Sequence, residues 1–318
     1  MSEGLDFLVL TGFLGSGKTT LLRDFLLRPD SADTAVIVNE VGEIGLDGAI
    51  LRESSGAEVK MALLSNGCVC CSMGSTLATT VEALLHADRP GGGPLRRIVL
   101  ETSGLSKPGP VLRQLAQLGA YRMRVGVVAT YDCERADATA EFAEAVSQWA
   151  GAGTIVVTKA DRVAPEVLSD AAAEAGRINP LARIIATTDR DDVIRQIFEF
   201  PSGPASFTRM ATRVLAPAAH PDISVFLVRT PEVVAYDDLA AWLDNLGGLL
   251  GERLLRVKGL VRVAECEQPL LVQSVGSLFS APRPFAGGAE SGSFLVIIGS
   301  GIIRDEILSV TPDLSLVV

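Results

Sequence analysis

The chain has 318 residues, 48% of them apolar and 21% charged, with a formal net charge of −10. That balance excludes general disorder and leaves room for one large domain or two ordinary ones. The negative charge argues against nucleic acid or an anionic membrane as the main partner, because phosphate backbones need a basic surface.

Phe7-Leu8-Val9-Leu10 is a short unbroken apolar run, the signature of a strand buried on both faces. Gly12-Phe13-Leu14-Gly15-Ser16-Gly17-Lys18-Thr19-Thr20 follows and fits G-x-x-x-x-G-K-[ST], the phosphate-binding P-loop. Leu21, Leu22, Phe25 and Leu26 then recur with helical spacing, so the motif sits between a strand and a helix. Glycines let the loop backbone approach a phosphate, and the amides of Gly15, Ser16, Gly17, Lys18, Thr19 and Thr20 are placed to bind it. Lys18 is expected to reach the β- and γ-phosphates, and the Thr19 hydroxyl to ligate Mg²⁺.

Ala35-Val36-Ile37-Val38 predicts a second buried strand. It runs into a glycine-rich loop, Asn39 to Gly48, that carries Glu40, Glu43 and Asp47. A loop at the carboxyl end of such a strand lies where open α/β sheets bind ligands. It reads either as a switch segment near a metal or as a solvated acidic loop.

Met61-Ala62-Leu63-Leu64 leads into Cys68, Cys70 and Cys71, three of the five cysteines in the chain. Clustered thiols in an odd-numbered set read as metal or redox chemistry, not as a disulfide framework. Three thiolates suit Zn²⁺, Cu(I), Co²⁺ or Ni²⁺ and leave one tetrahedral position open, which Glu43, Glu40, water or a client's ligand could fill. A redox sensor and inert packed thiols are the alternatives.

A helix is expected from Leu77 to Leu85, and a loop from Arg89 to Pro94. Ile98-Val99-Leu100 is the next strand, ending in Glu101-Thr102-Ser103-Gly104. In P-loop proteins such a strand-end acid holds Mg²⁺ through water, and the glycine amide senses the γ-phosphate. Glu101 and Gly104 take those expectations. Val125 to Ala129 is a strand ending near Asp132 and Cys133, the latter read as a small buried hydrophobe. Thr154-Ile155-Val156-Val157 leads into Thr158-Lys159-Ala160-Asp161, which matches the guanine-reading motif [NT]-K-x-D. Asp161 would accept hydrogen bonds from guanine N1 and N2, Lys159 would lie across the base, and Thr158 could keep a polar contact on the base side. Leu181 to Ala186 is the last strand of this region, Thr187-Thr188 candidate lining of the base pocket, and Val193 to Phe198 a closing helix.

Pro201-Ser202-Gly203-Pro204 breaks the pattern and predicts a boundary, giving a P-loop domain over 1–203 and a smaller domain over 204–318. In the second part Ile223 to Val228 reads as a strand, and Leu239, Trp242, Leu243 and Leu246 as a helix face stopped by Gly247-Gly248. Leu255, Val257, Gly259, Val261 and Val263 alternate with Arg256, Lys258 and Arg262, a strand with one buried and one basic face. The basic face reads as a solvated sheet face or, alternatively, as a docking surface for an acidic client or for the nucleotide domain. Leu270 to Val272 and Phe294 to Ile298 add strands, and Arg304 to Leu308 a final helix. The expected fold class is α/β: a P-loop domain with a mostly parallel sheet flanked by helices, plus a small C-terminal α+β domain.

Taken in order, Thr11 to Thr20, Asn39 to Glu43, Gly67-Cys68-Val69-Cys70-Cys71, Glu101 to Gly104 and Thr158 to Asp161 resemble the CobW-type metallochaperone GTPases. These are relatives of the nickel-insertion GTPases of hydrogenase and urease maturation. The resemblance implies a GTPase that loads a transition metal, zinc or cobalt, at Cys68, Cys70 and Cys71 and delivers it to a metal-requiring client protein under control of GTP and GDP. It places Glu101 and Glu40 near Mg²⁺ and the hydrolytic site and gives Glu43 a metal role. With only two histidines, the chain lacks the His-rich stretch of many relatives, which argues against bulk metal storage. A GTP-dependent regulatory protein with metal- or redox-sensing cysteines is the alternative, and a P-loop kinase a weaker one. Neither nucleic acid nor membrane is expected as a partner. The N-terminus lacks signal-peptide features and no apolar run is long enough to span a bilayer, so a cytoplasmic location is expected.

Overall fold

The computed structural model describes residues 5–38, 60–63, 77–87, 94–116, 121, 123–198, 220–285 and 292–318. Glu40, Glu43, Cys68, Cys70 and Cys71 lie outside the described residues. The chain forms two compact units. One holds Met1–Trp149, Gly153–Ala172 and Arg183–Pro201; the other holds Ala150–Ala152, Ala173–Ala182 and Ser202–Val318.

The first unit is organised by a seven-stranded sheet. Its strands are β1 (Asp6–Gly12), β2 (Thr34–Val38), β3 (Lys60–Leu63), β4 (Arg97–Glu101), β5 (Arg124–Asp132), β6 (Thr154–Thr158) and β7 (Arg183–Ile185). Their order is β3-β2-β4-β1-β5-β6-β7, and every pairing is parallel. Parallel strands need crossovers, and helices provide them: α1 (Lys18–Leu26), α2 (Leu77–His86), α3 (Pro108–Ala116), α4 (Ala136–Ala140), α5 (Ala143–Gly151), α6 (Pro165–Ile178) and α7 (Arg190–Phe198). Continuous apolar strands such as β1, buried along its whole length, are the sequence counterpart of a sheet covered on both faces. On one face, α1 packs Leu21, Leu22, Phe25 and Leu26 with Val193, Ile194, Ile197 and Phe198 of α7. Phe25 and Phe198 stack there with ring centroids 3.8 Å apart. Because all strands run the same way, their carboxyl ends share one edge. Leu63, Val38 and Glu101 form a single register row there, and Gly12, Asp132 and Thr158 end their strands on the same edge.

The second unit carries an antiparallel sheet built from β8 (Ile223–Arg229), β9 (Leu254–Val261), β10 (Leu270–Val275), β11 (Leu278–Phe279), β12 (Arg283–Pro284) and β13 (Phe294–Ser300). Helix α8 (Tyr236–Leu250) lays Leu239, Trp242, Leu243, Leu246 and Leu250 onto the face made by Val228, Val257, Val261, Val272, Leu295 and Ile297. Helix α9 (Arg304–Leu308) adds Ile307 to the same cluster. Helices on one face of an antiparallel sheet make this an α+β unit, as the alternation of strand and helix patterns implies.

Two expectations fail in this unit. The helix does not stop at Gly247-Gly248; it runs on to Leu250, and Gly251 ends it with a positive φ of 53°. Each helical glycine costs about 1 kcal/mol, and burying the Leu250 side chain returns about 1.5–3 kcal/mol, so packing extends the helix one more turn. The basic face of β9 is not solvated either. Arg256 is buried and its Nη1 donates to the Gly151 carbonyl at 3.3 Å. Burial pushes the Arg256 guanidinium down to about 10 and the Lys258 ammonium down to about 8, with Arg256 and Arg283 adding repulsion on Lys258. The consequence for stability has a definite sign. A free lysine titrates near 10.5. Between about pH 8 and that value the folded state has released the Lys258 proton while the unfolded state keeps it, so stability rises with pH across this window. Lys258→Met should be the more stable protein at pH 7, on the order of 1–3 kcal/mol, and should lack the alkaline gain. Urea denaturation of both proteins at pH 7 and pH 9.5 measures the difference.

Candidate functional site: a phosphate and base cleft at the carboxyl edge of the sheet

The loop from Gly12 to Gly17 leaves β1 and feeds directly into α1, which begins at Lys18. Gly12 has φ 144°, and a Cβ there would stand 1.8 Å from Thr130 Oγ1, so β5 accepts only glycine against it. Ser16 Oγ donates to the Phe13 carbonyl at 2.6 Å and pairs with Thr130 Oγ1 at 2.6 Å, which ties the loop to itself and to β5. The Lys18 ammonium is drawn back over the loop, donating to the carbonyls of Gly12 at 2.8 Å and Phe13 at 3.1 Å. Lys18 is buried, and this holds its charge above the phosphate-binding turn.

Glu101 ends β4, the neighbour of β1, and the pairing carries its carboxylate to α1. Thr19 Oγ1 donates to Glu101 Oε1 at 2.6 Å. A hydroxyl and a carboxylate meeting beside a phosphate loop form the hard-oxygen donor set that Mg²⁺ prefers, so the residues present fit that ion. Beyond Glu101 the chain turns back across the P-loop. A Cβ on Gly104 would lie 2.7 Å from the backbone N of Leu14, so the two loops touch backbone to backbone.

On the other side of β1, the ends of β5 and β6 build a second wall. Thr158 is buried, and its hydroxyl donates to the Ser16 carbonyl at 2.8 Å and lies 3.3 Å from the Tyr131 carbonyl. The structure therefore turns this hydroxyl to the P-loop and not to the base side. Lys159 has φ 60°, a left-handed conformation unusual for a non-glycine residue. Its ammonium lies 2.5 Å from Asp132 Oδ2 and 3.4 Å from Glu134 Oε2. These acids hold the side chain at the mouth of a cleft lined by Leu21, Thr158, Lys159, Asp161, Thr187 and Arg190. Arg190 is braced from α1, donating from Nε and Nη2 to Asp24 Oδ2 at 2.8 and 2.7 Å. Cys133 is buried, donates its thiol to the Thr158 carbonyl at 3.0 Å, and has its pKa raised by burial and by the Asp132 charge. It is a packing residue and stays a thiol.

The structure thus brings Gly15, Ser16, Gly17, Lys18, Thr19, Glu101 and Gly104 together around one loop, with Lys159 and Asp161 in the adjoining cleft. Thr20 lies exposed on the first turn of α1. Among the described residues, no group of three or more His, Cys, Asp or Glu side chains could hold a metal ion. Among the same residues, no helix is long and apolar enough to cross a membrane. Sequence reading missed Asp132, Glu134 and Arg190. Asp132 carried a faint signal as a strand-end acid; Arg190 carried none, because its partner lies on α1.

The fold and the site define a P-loop GTPase. Residues 6–186 match the family described as CobW/HypB/UreG, nucleotide-binding domain, and residues 223–310 match the cobalamin synthesis protein cobW C-terminal domain. The chain belongs to this CobW family. It is 31% identical over 312 residues to the zinc chaperone YjiA of Escherichia coli, covering 94% of this chain and 95% of that one. It is 31% identical over 336 residues to the zinc chaperone CobW of Pseudomonas aeruginosa, covering 93% and 87%. Among solved structures it resembles the Zn(II)-bound YjiA GTPase from E. coli, with a TM-score of 0.66 at 25% identity and 96% of each chain covered.

Proposed function

We propose that this protein is a metallochaperone that binds a transition metal, zinc before cobalt, at Cys68, Cys70 and Cys71 and releases it to a client protein under the control of GTP. The observation that carries this reading is the row Leu63, Val38 and Glu101 at the carboxyl edge of the sheet. The segment with Glu40 leaves from Val38, and Cys68 follows Leu63 by five residues. Val38 is the register neighbour of Glu101, whose carboxylate meets Thr19, and Leu63 ends one strand further along the same edge. Relatives named zinc chaperones favour zinc over cobalt. In this proposal residues 1–203 form the GTPase part and 204–318 a C-terminal part.

Within the site, Lys18 binds the β- and γ-phosphates, and the amides from Gly15 to Thr20 bind the phosphate chain. Thr19 and Glu101 hold Mg²⁺, which neutralises charge on the transferring phosphoryl group. Gly104 reads the γ-phosphate. Asp161 accepts from guanine N1 and N2, and Lys159, fixed by Asp132 and Glu134, lies across the base. Thr158 joins the base-reading turn to the P-loop through Ser16. Glu40 acts at the hydrolytic site, and Glu43 completes the metal's ligand set. Ordering of a switch segment by the γ-phosphate is an established two-state device, and its coupling is reciprocal. Metal must change GTP affinity by the same factor by which GTP changes metal affinity.

Metal titration of the reduced protein tests this. One Zn²⁺ should bind per chain, with affinities that differ between a non-hydrolysable GTP analogue and GDP. Cys70→Ser should weaken Zn²⁺ binding by about a hundredfold or more, since it removes one of three thiolates, and leave GDP affinity within about twofold. Equal Zn²⁺ affinity in the two nucleotide states sinks the delivery mechanism. A Cys68–Cys70 disulfide after mild oxidation, with no metal bound before it, favours a redox sensor instead.

A further inference from the structure

Helix α5 is the element that braces the phosphate site from behind. Phe142, just before it, stacks on Phe13 of the P-loop with ring centroids 4.7 Å apart. Trp149 Nε1 donates to the Thr130 carbonyl at 3.0 Å, and Thr130 is the residue whose hydroxyl meets Ser16. Between these contacts lies Gln148, with no solvent exposure. Its Nε2 donates two hydrogen bonds of 2.9 Å, one to the Gly104 carbonyl and one to the Ser106 carbonyl. Both amide hydrogens are thus spent on the loop between β4 and α3. The amide orientation follows from the chemistry, because the flipped form would aim Oε1 at two carbonyl oxygens. Oε1 itself is buried and, among the described residues, has no hydrogen-bond partner. A buried acceptor without a partner is a standing destabilisation, and Leu or Met of similar size would avoid it. A glutamine at this position is therefore explained by its two donors and not by packing.

The geometry points to Gln148 as a positioning residue for the nucleotide-sensing loop. It holds Gly104 and Ser106 by their carbonyls while Gly104 packs on the backbone of Leu14. A peptide unit whose carbonyl is pinned from behind presents the amides around it toward the P-loop. Gln148 thereby sets how strongly the loop distinguishes GTP from GDP, without touching nucleotide. This inference rests on the proposed reading of Gly104 as the γ-phosphate sensor.

The test compares wild type with Gln148→Met and Gln148→Asn, the second keeping the amide on a side chain one methylene shorter. Both variants should bind GDP within about twofold of wild type, bind a non-hydrolysable GTP analogue about tenfold more weakly and lose about tenfold in kcat, the scale of one or two lost hydrogen bonds. Thermal melts by circular dichroism confirm that each variant is folded. Hydrogen exchange in wild type should slow at 104–106 with the GTP analogue and not with GDP, and this contrast should shrink in the folded variants. An equal loss for GDP and the GTP analogue, or no change in either, overturns the role of Gln148. If wild type shows no nucleotide-dependent exchange at 104–106, the sensor reading of Gly104 falls, and this inference falls with it. If neither variant folds, Gln148 is a structural residue and the positioning role is rejected.

Discussion

Asp161→Asn should change the base that this protein prefers. Asp161 lies on the short turn Ala160–Arg162 after β6 and lines the cleft beside the P-loop. A carboxylate can accept from guanine N1–H and N2–H together, both bonds being charge-assisted. Asparagine offers one acceptor and one donor, so it loses the charge and sets a donor against a donor. At about 1.5–3 kcal/mol per charged bond, GTP affinity should fall by about 10²–10⁴-fold. Xanthine carries a carbonyl where guanine carries its amino group, and the asparagine amide can donate to it. The variant should bind XTP more tightly than GTP, reversing the wild-type order. Fluorescence-detected competition among GTP, XTP and ATP reads this directly. GTP affinity within threefold of wild type would remove Asp161 from the base site. Because Asp161 is exposed, the substitution should leave folding intact.

The second large effect is expected at Lys18. Its ammonium already sits over the turn, 2.8 Å from the Gly12 carbonyl and 3.1 Å from the Phe13 carbonyl. Phosphate oxygens carrying full charge are better acceptors than carbonyls, so a bound nucleotide draws the same ammonium outward. Lys18→Met keeps the unbranched stem and its packing and removes the charge. Two charge-assisted bonds to the β- and γ-oxygens are lost in a partly buried setting, which predicts a fall of about 10³-fold in kcat/KM for GTP hydrolysis. Phosphate release under saturating Mg²⁺ gives the number, and a melt within a few degrees of wild type shows that the scaffold survives. Hydrolysis within tenfold of wild type contradicts the assigned role. The Asp161 variant should keep hydrolysis once XTP is supplied, whereas the Lys18 variant should fail with every nucleotide. The two substitutions therefore separate base reading from phosphate chemistry.

Much of the first unit is legible in the chain because parallel strands buried on both faces are written as unbroken apolar runs. Residues 7–10, 35–38, 98–100, 125–129 and 154–157 all lie in strands. Motif residues follow those runs at once, so Glu101 and Thr158 could be assigned to strand ends, and Asp161 to the turn after one, without knowing which strands are neighbours. Four helices escaped that reading: α3, α4, α5 and α6. For α6 a signal was present, with Pro165 as its first residue and Glu166 in the first turn. For α5 the buried positions Ala145, Val146 and Trp149 are helically spaced but surrounded by alanines, and the pattern is faint. In the second unit, Gly247 and Gly248 look like a stop, yet the apolar face of α8 continues through them. The same limitation hid the burial of Arg256: alternation predicts which side chains share a face, not whether that face is covered.

The chemistry expected of each segment was legible in the sequence alone. A phosphate loop, a strand-end acid, a base-reading turn and a thiol cluster are each carried by residues close together in the chain, where spacing is enough to define a geometry. What the tertiary structure decided is which of these segments meet. The sheet order places β4 and β5 on either side of β1, so Thr19 finds Glu101 and Ser16 finds Thr130. Thr158 reaches the P-loop past β5, and Gln148 reaches Gly104 from a helix that local pattern scarcely marks. These partners are separated by 82, 114, 142 and 44 positions. Side-chain period and turn chemistry are local properties and hold no information about crossovers of that length. Strand order is settled by how the helices cover both faces of the sheet, and with it the contacts that bring the P-loop, the strand-end acid and the turn after β6 together.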